Sequence, residues 1–224
     1  GNLAKPGVTT ADLDEAAETY IRSEGGVPTF KGYRGFPAAI CTSPNSMVVH
    51  GIPGAYELKG GDLISVDVGV TLDGFVADSA FTYPVGEVDG DADRLLEVGQ
   101  AALAAGIAQA RAGNHVQDIS AAVQRTTEEA GFSVVRSLVG HGIGRSMHED
   151  PQVPNFGEPG HGPLLQPGMT LAIEPMINAG SPDVWMAEDR WSISTDDNSL
   201  SAHFEHTVAI TDNGPLVLTR AEST

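Results

Sequence analysis

The chain has 224 residues, with 12 basic and 30 acidic side chains, a formal net charge of −18, and one cysteine, Cys41. This length fits one large domain or two closely packed halves, and the charge opposes docking on phosphate backbones or anionic lipid. A lone cysteine excludes a disulfide within the chain, and no apolar run suits a signal core or a membrane span, so we expect a cytoplasmic protein without nucleic-acid or membrane partners.

Three helices are predicted from capping residues and apolar periodicity. Thr9 or Thr10 can cap a helix that runs to about Glu24, because an apolar stripe follows at helical spacing and a Gly-Gly pair ends it. A second helix is predicted over residues 91–112, closed by Gly113. A third is predicted over residues 116–130.

Between the first two helices, residues 63–81 predict a β-hairpin. Both runs are rich in β-branched and aromatic residues, and the Asp73-Gly74 pair between them suits a two-residue type I′ turn. The turn fixes the register, because Leu72 must then face Phe75 across it. Every facing pair further along the hairpin follows from that one.

This register places two carboxylates on one face of the hairpin. Asp67 faces Ala80 and Asp78 faces Gly69, so the aspartates are diagonal neighbours, roughly 7–8 Å apart. That spacing suits a pair of cations about 3.5–4 Å apart. We interpret the small residues Gly69 and Ala80 as leaving space for such ions. The alternative is two solvated aspartates on an exposed face.

The second half of the chain repeats the first. At a constant offset of 106, five positions recur: Gly7, Asp12, Leu13, Ala16 and Gly25 match Gly113, Asp118, Ile119, Ala122 and Gly131. Asp67 maps to Glu174 and Asp78 to Glu205, with an insertion before Glu205 that carries both tryptophans. We therefore expect a single catalytic domain, residues 1–224, built from two α/β halves, about 1–112 and 113–224. Four carboxylates would meet about a pseudo-two-fold between them.

Four converging carboxylates raise one another's pKa and leave some protonated unless cations neutralise them. Two divalent ions supply the required charge. His141, between glycines in VGHGIG, is the candidate imidazole, because glycine lets backbone approach closely. A lone histidine in a Gly-rich turn can equally be an ordinary loop residue. Oxygen-rich ligation with one imidazole suits Mn, Fe, Co or Zn.

Eight motifs along nearly the whole chain together resemble the type I methionine aminopeptidases: KPGVTT, VVHGIP, VDVG, GFVAD, GHGIG, HEDPQVPNF, PGMTLAIEP and SAHFEHT. The resemblance implies an α+β, pita-bread (creatinase/aminopeptidase) fold around a dinuclear site of two divalent ions. The implied metal ligands are Asp67, Asp78, His141, Glu174 and Glu205. Asp78 and Glu205 would bridge both ions.

The resemblance also implies roles in catalysis. Glu174 would relay a proton from an activated water, His148 would stabilise the oxyanion, and His50 would orient the substrate amide. An apolar pocket for methionine is implied at Tyr33, Phe36, Cys41, Met147, Met176 and Trp191, positions that can also be ordinary core. The remaining histidines are interpreted as structural: His115, His161, His203 and His206. A role for His206 behind the metal ligands is the alternative.

The implied activity is a methionyl aminopeptidase that removes the initiator methionine from nascent proteins and peptides with a small second residue. One alternative is an Xaa-Pro aminopeptidase or prolidase-like enzyme, which shares the five-ligand core. Another is a non-catalytic pita-bread protein that holds peptide N-termini. We expect a monomer whose partners are peptide or nascent-chain N-termini, with a transient ribosome encounter.

The sequence departs from the family pattern at two places. It opens close to KPGVTT without the helix that usually precedes it, which indicates a truncated, engineered or unusually short chain. Met147 stands where the family generally has an aromatic residue before the second histidine. Neither departure affects an implied metal ligand.

Overall fold

The computed structural model describes residues 1–220; residues 221–224, the end of the expected second half, lie outside the described part. The helices are α1 (Thr10–Ser23), α2 (Gly90–Gln109) and α3 (Val116–Glu129), with a short 3₁₀ turn at Tyr33–Gly35. The strands are β1 (Val27–Pro28), β2 (Cys41–Pro44), β3 (Met47–Val49), β4 (Leu63–Leu72), β5 (Phe75–Pro84), β6 (Ser133–Val134), β7 (Val139–Gly142), β8 (Glu149–Pro154), β9 (Thr170–Ile173), β10 (Met176–Asn178), β11 (Val184–Met186), β12 (Ile193–Thr195), β13 (Ser201–His203), β14 (His206–Thr211) and β15 (Gly214–Val217).

The three predicted helices are present. Thr9 caps α1: its hydroxyl accepts from the backbone N–H of Asp12 at 3.1 Å, and the Asp12 carboxylate accepts from the N–H of Thr9 at 2.8 Å. The predicted end of α2 is wrong, because the helix stops at Gln109 instead of residue 112. Ala110 leaves the helical conformation with ψ of 62°, so the chain turns before Gly113 is reached.

The predicted hairpin and its register are confirmed. β4 and β5 pair so that Leu72 faces Phe75, Asp67 faces Ala80 and Asp78 faces Gly69. β1 and β2 pair with β4 as well, which completes a four-stranded sheet. The other sheets have the orders β15-β14-β9-β7-β8, β13-β10-β6 and β11-β12-β3.

The two halves repeat each other's local contacts. At the start of both helices an aspartate carboxylate accepts from the backbone N–H three residues earlier: Asp12 from Thr9 at 2.8 Å and Asp118 from His115 at 2.6 Å. Backbone bonds also recur near the expected offset: Gly7 N to Leu58 O and Gly113 N to Leu165 O, Thr10 N to Tyr56 O and Val116 N to Pro163 O, Gly61 N to Val85 O and Gly168 N to Ile210 O. The repeat is therefore visible in hydrogen bonding as well as in sequence.

The halves are joined along β5 and the segment that leads into β14. The Thr207 hydroxyl accepts from the backbone N–H of Asp78 at 2.9 Å and donates to its carbonyl at 2.8 Å. The N–H of Glu205 donates to the carbonyl of Ala80 at 2.8 Å. These bonds bring Asp78 and Glu205, one from each half, together at the boundary between the halves, which we call the seam.

The largest apolar core lies behind this seam. α2 and α3 pack on the five-stranded sheet, and Phe204, beside Glu205, is 1% exposed within that core. A Cβ at Gly99 of α2 would lie 2.5 Å from the Phe204 ring, so only glycine lets α2 approach so closely. The strand segment that carries Glu205 is thereby held against a rigid backing.

The insertion of the second half reaches across to the first. β11 and β12 form a hairpin, and β12 pairs with β3, which precedes His50. This pairing brings Trp191 beside Phe36, with ring centroids 5.1 Å apart, while Trp185 is left 47% exposed. None of the helices within residues 1–220 combines the length and apolarity needed to cross a bilayer.

Candidate metal centre

Three buried side chains form a compact donor cluster at the seam. Asp78, His141 and Glu205 each offer one ligand atom, and these atoms lie within 4.8 Å of one another. Glu174 Oε1 lies 3.5 Å from His141 Nε2. Asp67 lines the same cavity as these four residues. The structure thus brings all five predicted ligands into one cavity.

Each ligand occupies a different position relative to the strands. Asp67 and Asp78 rise from the paired β4–β5 hairpin, whereas Glu174 and Glu205 flank the paired segments of β9 and β14. His141 lies in β7, paired on both sides. The alternative interpretation of His141 as an ordinary loop residue is therefore wrong.

The glycines around His141 have a different purpose from the predicted one. A Cβ at Gly140 would clash with the carbonyl of Ala172, and a Cβ at Gly142 would clash with the carbonyl of Asp150. These glycines allow the neighbouring strands to pack closely around β7. The predicted role was to let the backbone approach the ions. The glycines do mark a close approach, but the group that approaches is the backbone of a neighbouring strand.

The interpretation of Gly69 as space for ions is also wrong. A Cβ at this position would lie 2.5 Å from Cε1 of Phe30, a ring that lines the cavity. Gly69 makes room for an aromatic wall because Phe30 packs against the face of β4 on which Asp67 also lies. One strand, β4, thus positions both the proposed ligand Asp67 and the ring of Phe30 that lines the cavity.

Burial makes the carboxylates of this cluster hard to ionise. It raises the pKa of Asp67 to about 6 and that of Glu174 to about 7. Burial, reinforced by neighbouring carboxylates, raises the pKa of Asp78 and Glu205 well above their ordinary values. Within the described residues, Asp67 Oδ1 and Glu205 Oε1 are buried without a hydrogen-bond partner. Oxygen donors that lack partners, together with one imidazole, fit a divalent cation.

Two further histidines line the cavity. The ring of His148 lies 4.2 Å from that of His141, centroid to centroid, and its Nδ1 is 2.9 Å from the Tyr33 hydroxyl. Burial lowers the pKa of both His50 and His148 to about 4, so both rings are neutral at pH 7. His50 adopts a left-handed backbone with φ of 60°, which non-glycine residues seldom do.

The whole cavity has a volume of about 170 Å³, and its lining surface is mostly apolar. Its predicted members Tyr33, Phe36, Cys41, Met147 and Trp191 line it together. The structure does not place Met176 with them. Met176 is 1% exposed and packs in a separate core cluster with Val48, Val49, Val135 and Ile193. It belongs to the core, the alternative the sequence left open.

A model for metallopeptidase family M24 matches residues 2–212. The chain belongs to metallopeptidase family M24. A methionine aminopeptidase from Clostridium perfringens is 52% identical to this M24 chain over 215 residues, which cover 96% of the chain and 86% of the relative. The crystal structure of a methionine aminopeptidase from Thermotoga maritima matches it with a TM-score of 0.97 at 44% identity, covering 98% of this chain and 89% of that one. The predicted resemblance to the methionine aminopeptidases is confirmed.

The M24 fold extends beyond these relatives. A prolidase from Pyrococcus horikoshii matches with a TM-score of 0.77 at 20% identity, over 99% of this chain and 58% of the prolidase. At that identity the likeness shows the fold alone. The predicted α+β pita-bread architecture is confirmed.

Sequence reasoning missed three residues of this M24 site. Phe30 and Arg34 line the cavity, and no spacing pattern in the sequence marks them. His203 was interpreted as structural, yet its Nε2 lies 3.6 Å from Glu174 Oε2 and 4.0 Å from Glu205 Oε2. Strand alternation is the signal that could have found it, because position 203 shares a face with position 205.

His206, in contrast, keeps its structural role. Its Nδ1 lies 2.9 Å from the Thr219 hydroxyl, and the side chain is half-buried.

Proposed function

We propose that this protein is a metal-dependent methionyl aminopeptidase that removes the initiator methionine from nascent proteins and peptides with a small second residue. One observation carries the proposal: a buried carboxylate–imidazole cluster opens directly into a small apolar cavity. Such a site can hold one apolar side chain beside the group that cleaves the next peptide bond. The high identity to methionine aminopeptidases supports methionine as that side chain.

Five residues are proposed to hold two divalent cations. Asp67, Asp78, His141, Glu174 and Glu205 would hold them, because the four carboxylates would balance the charge of two divalent ions. The donor set is compatible with Mn, Fe, Co or Zn. When bound, the cations polarise the scissile carbonyl and make water a better nucleophile.

Glu174 is the proposed proton carrier. Its carboxyl group is buried at the metal cluster, and in the metal-free protein that burial raises its pKa to about 7. It would accept a proton from the attacking water at a carboxylate oxygen and pass it to the leaving amine. Its position 3.5 Å from His141 Nε2 supports this role.

His148 is the proposed donor to the oxyanion. The Tyr33 hydroxyl, 2.9 Å from His148 Nδ1, can donate to that nitrogen. The proton of the neutral ring then resides on Nε2, which is free to donate to a developing negative oxygen. His50, neutral and lining the same cavity, is proposed to orient the substrate amide.

The methionine side chain is proposed to enter the apolar end of the cavity. Phe30 and Phe36 meet edge-to-face with centroids 6.4 Å apart, and Trp191 meets Phe36 in the same way. Thioether sulfur interacts favourably with aromatic rings at their edges. Met147 closes the pocket with an unbranched, adaptable side chain where the family generally has an aromatic one.

We further propose a cytoplasmic monomer, a single domain with halves 1–112 and 113–224. Its partners are peptide and nascent-chain N-termini, which it meets during a transient encounter with the ribosome. The charge of −18 supports a brief encounter, because it repels RNA phosphate. Ribosome association that is tight and independent of salt in sedimentation would contradict this proposal.

The decisive experiment uses metal-stripped protein and two peptides, Met-Ala-Ser and an Ala-Pro peptide. Restoring Mn, Fe, Co or Zn separately should release free methionine from the first and leave the second intact. Cleavage before proline would favour a prolidase-like enzyme, and binding without release would favour a peptide-holding protein. Glu174→Ala should abolish turnover, whereas His161→Gln, a change at an exposed loop, serves as the matched control.

A further inference from the structure

The imidazole of His203 is buried next to the metal cluster without a hydrogen bond. The residue is 2% exposed, and within the described chain neither Nδ1 nor Nε2 has a hydrogen-bond partner. A buried polar ring without partners is costly, so such a group calls for a physical explanation. Ordinary packing is a poor one, because an apolar side chain would fill the same space at lower cost.

His203 and His141 lie on opposite oxygens of one carboxylate. Glu174 Oε1 is 3.5 Å from His141 Nε2, and Glu174 Oε2 is 3.6 Å from His203 Nε2. The same nitrogen of His203 is 4.0 Å from Glu205 Oε2. Among residues 1–220, no other carboxylate comes within 4.0 Å of the His203 ring nitrogens. His203 Nε2 therefore faces one carboxylate oxygen of each of two proposed ligands, Glu174 and Glu205.

The backbone of His203 is fixed on two sides. The Thr82 hydroxyl accepts from the His203 N–H at 2.8 Å and donates to its carbonyl at 2.9 Å. Ser65 holds that hydroxyl in turn, oxygen to oxygen, at 2.8 Å. On the other side His203 pairs with Met176 across β13 and β10. The ring is thus presented to Glu174 by a backbone that has little freedom to move.

We propose that His203 is a positioning residue for the carboxylates of Glu174 and Glu205. Its neutral ring carries the proton on Nε2 and donates it to Glu174 Oε2, a closure of a few tenths of an ångström from the present 3.6 Å. This contact turns Oε1 toward His141 and the cation site. Groups that hold a metal ligand's orientation in this way raise metal affinity without touching the metal. The inference rests on the metal centre proposed above.

Two substitutions test the role. His203→Leu removes the donor while keeping an apolar group of similar size, and His203→Gln offers an amide N–H in its place. We expect His203→Leu to weaken Mn²⁺ binding, measured by calorimetry, about 10- to 100-fold. It should lower kcat more than it changes KM, because the carboxylate is misaligned but the pocket is intact. His203→Gln should recover most of the affinity and of kcat, and His161→Gln is the matched control.

Metal-free stability separates positioning from a packing role. Because the ring nitrogens have no partners, metal-free His203→Leu should unfold at or above the temperature of the wild-type protein. A large loss of metal-free stability in both His203 variants would show a structural role and overturn the proposal. Unchanged Mn²⁺ affinity in His203→Leu would overturn it too. A wild-type chain that binds no Mn²⁺ would instead refute the proposed function.

Direct ligation by His203 is the remaining alternative. In the Co²⁺-loaded protein, an imidazole bound to the ion gives a strongly shifted exchangeable N–H signal in the proton NMR spectrum. We expect one such signal, from His141, and its loss in His141→Ala. A second signal that disappears in His203→Leu would make His203 a ligand and overturn the positioning role.

Discussion

A single hydroxyl of Thr207, in the second half, satisfies both backbone polar groups of Asp78 in the first, at 2.9 and 2.8 Å. Both groups face away from β4, and the bonds are buried. Thr207→Val leaves them without partners, and we expect a loss of about 2–4 kcal/mol in the free energy of unfolding. Metal affinity should fall as well, because Asp78 loses its support. Urea denaturation and calorimetry measure the two effects.

Thr126→Val is the matched control for that change. Its hydroxyl bonds the carbonyl of Ala122 in the same helix at 2.9 Å, far from the seam. We expect a loss well under 1 kcal/mol there, since a helix carbonyl keeps its backbone partner. Equal losses at positions 207 and 126 would show that the contact at Asp78 has no special weight.

Gly69→Ala should damage the methionine pocket from outside it. The new Cβ would lie 2.5 Å from Phe30 Cε1, so the ring must move into the cavity. Overpacking of this kind costs typically about 1–3 kcal/mol. We expect KM for methionyl peptides to rise more than kcat falls. Gly60→Ala, where nothing lies within 4 Å of a new Cβ, should leave both values unchanged.

Tyr33→Phe tests the hydrogen bond that orients His148. The hydroxyl and Nδ1 are 2.9 Å apart, and the proposed donation to the oxyanion needs the proton of the neutral ring on Nε2. One hydrogen bond contributes about 1 kcal/mol, so we expect kcat to fall about fivefold. His148→Ala should fall further. A Tyr33→Phe variant with wild-type kcat would remove Tyr33 from the mechanism.

The metal-free protein should become less stable as the pH rises above about 6.5. Burial raises the pKa of Glu174 to about 7 and those of Asp78 and Glu205 well above ordinary values. Stability from a raised pKa is present below the unfolded value and is lost as the pH passes the folded one. At lower pH the trend is opposed, because His50 and His148, with pKa values of about 4, charge only on unfolding.

Saturating Mn²⁺ should remove that loss, because cation-bound carboxylates stay ionised. The measurement is the unfolding temperature at intervals of half a pH unit, with and without the metal. We expect the stabilisation by Mn²⁺ to grow with pH over the same range. A metal-free profile that is flat above pH 6.5 would contradict the buried, protonated carboxyl groups.

Asp197 gives the opposite sign at low pH. Its carboxylate accepts from the backbone N–H groups of Ser181 and Ser199 at 2.7 and 3.0 Å, and these bonds hold its pKa at about 2. The stability they supply is present above the ordinary carboxyl pKa and is lost as the pH falls toward 2. Asp197→Asn should therefore lower the unfolding temperature at pH 7 and little at pH 2.5. Glu188→Gln, at an exposed position of the same insertion, is the control.

The sequence predicted those parts of the site that depend on local chemistry. An Asp-Gly turn fixes a hairpin register by itself, so the relation of Asp67 to Asp78 could be worked out in advance. The surroundings of His141 could not be predicted in this way, because its flanking glycines accommodate strands that are distant in sequence. For the same reason, no local sequence feature distinguishes Met176, which lies in the core, from Phe30, which lines the cavity.

His203 shows a different limit. Alternation could have placed it on the face of Glu205, but its meaning depends on Glu174, which lies between β9 and β10 and is distant in sequence. Only the folded arrangement reveals that the ring nitrogens lack partners. A residue that acts through its neighbours is hard to recognise before those neighbours are in place.

Because the proposed site is shared between the two halves, it cannot form until late in the synthesis of the chain. Asp67 and Asp78 leave the ribosome long before Glu174 and Glu205, and Trp191, which pairs its hairpin back onto the first half, comes nearly as late. A partly synthesised chain therefore carries only two of the five proposed cation ligands, and the side of the cavity formed by Trp191 is missing. We expect it to be inert until Glu205 has been synthesised and has folded against the first half.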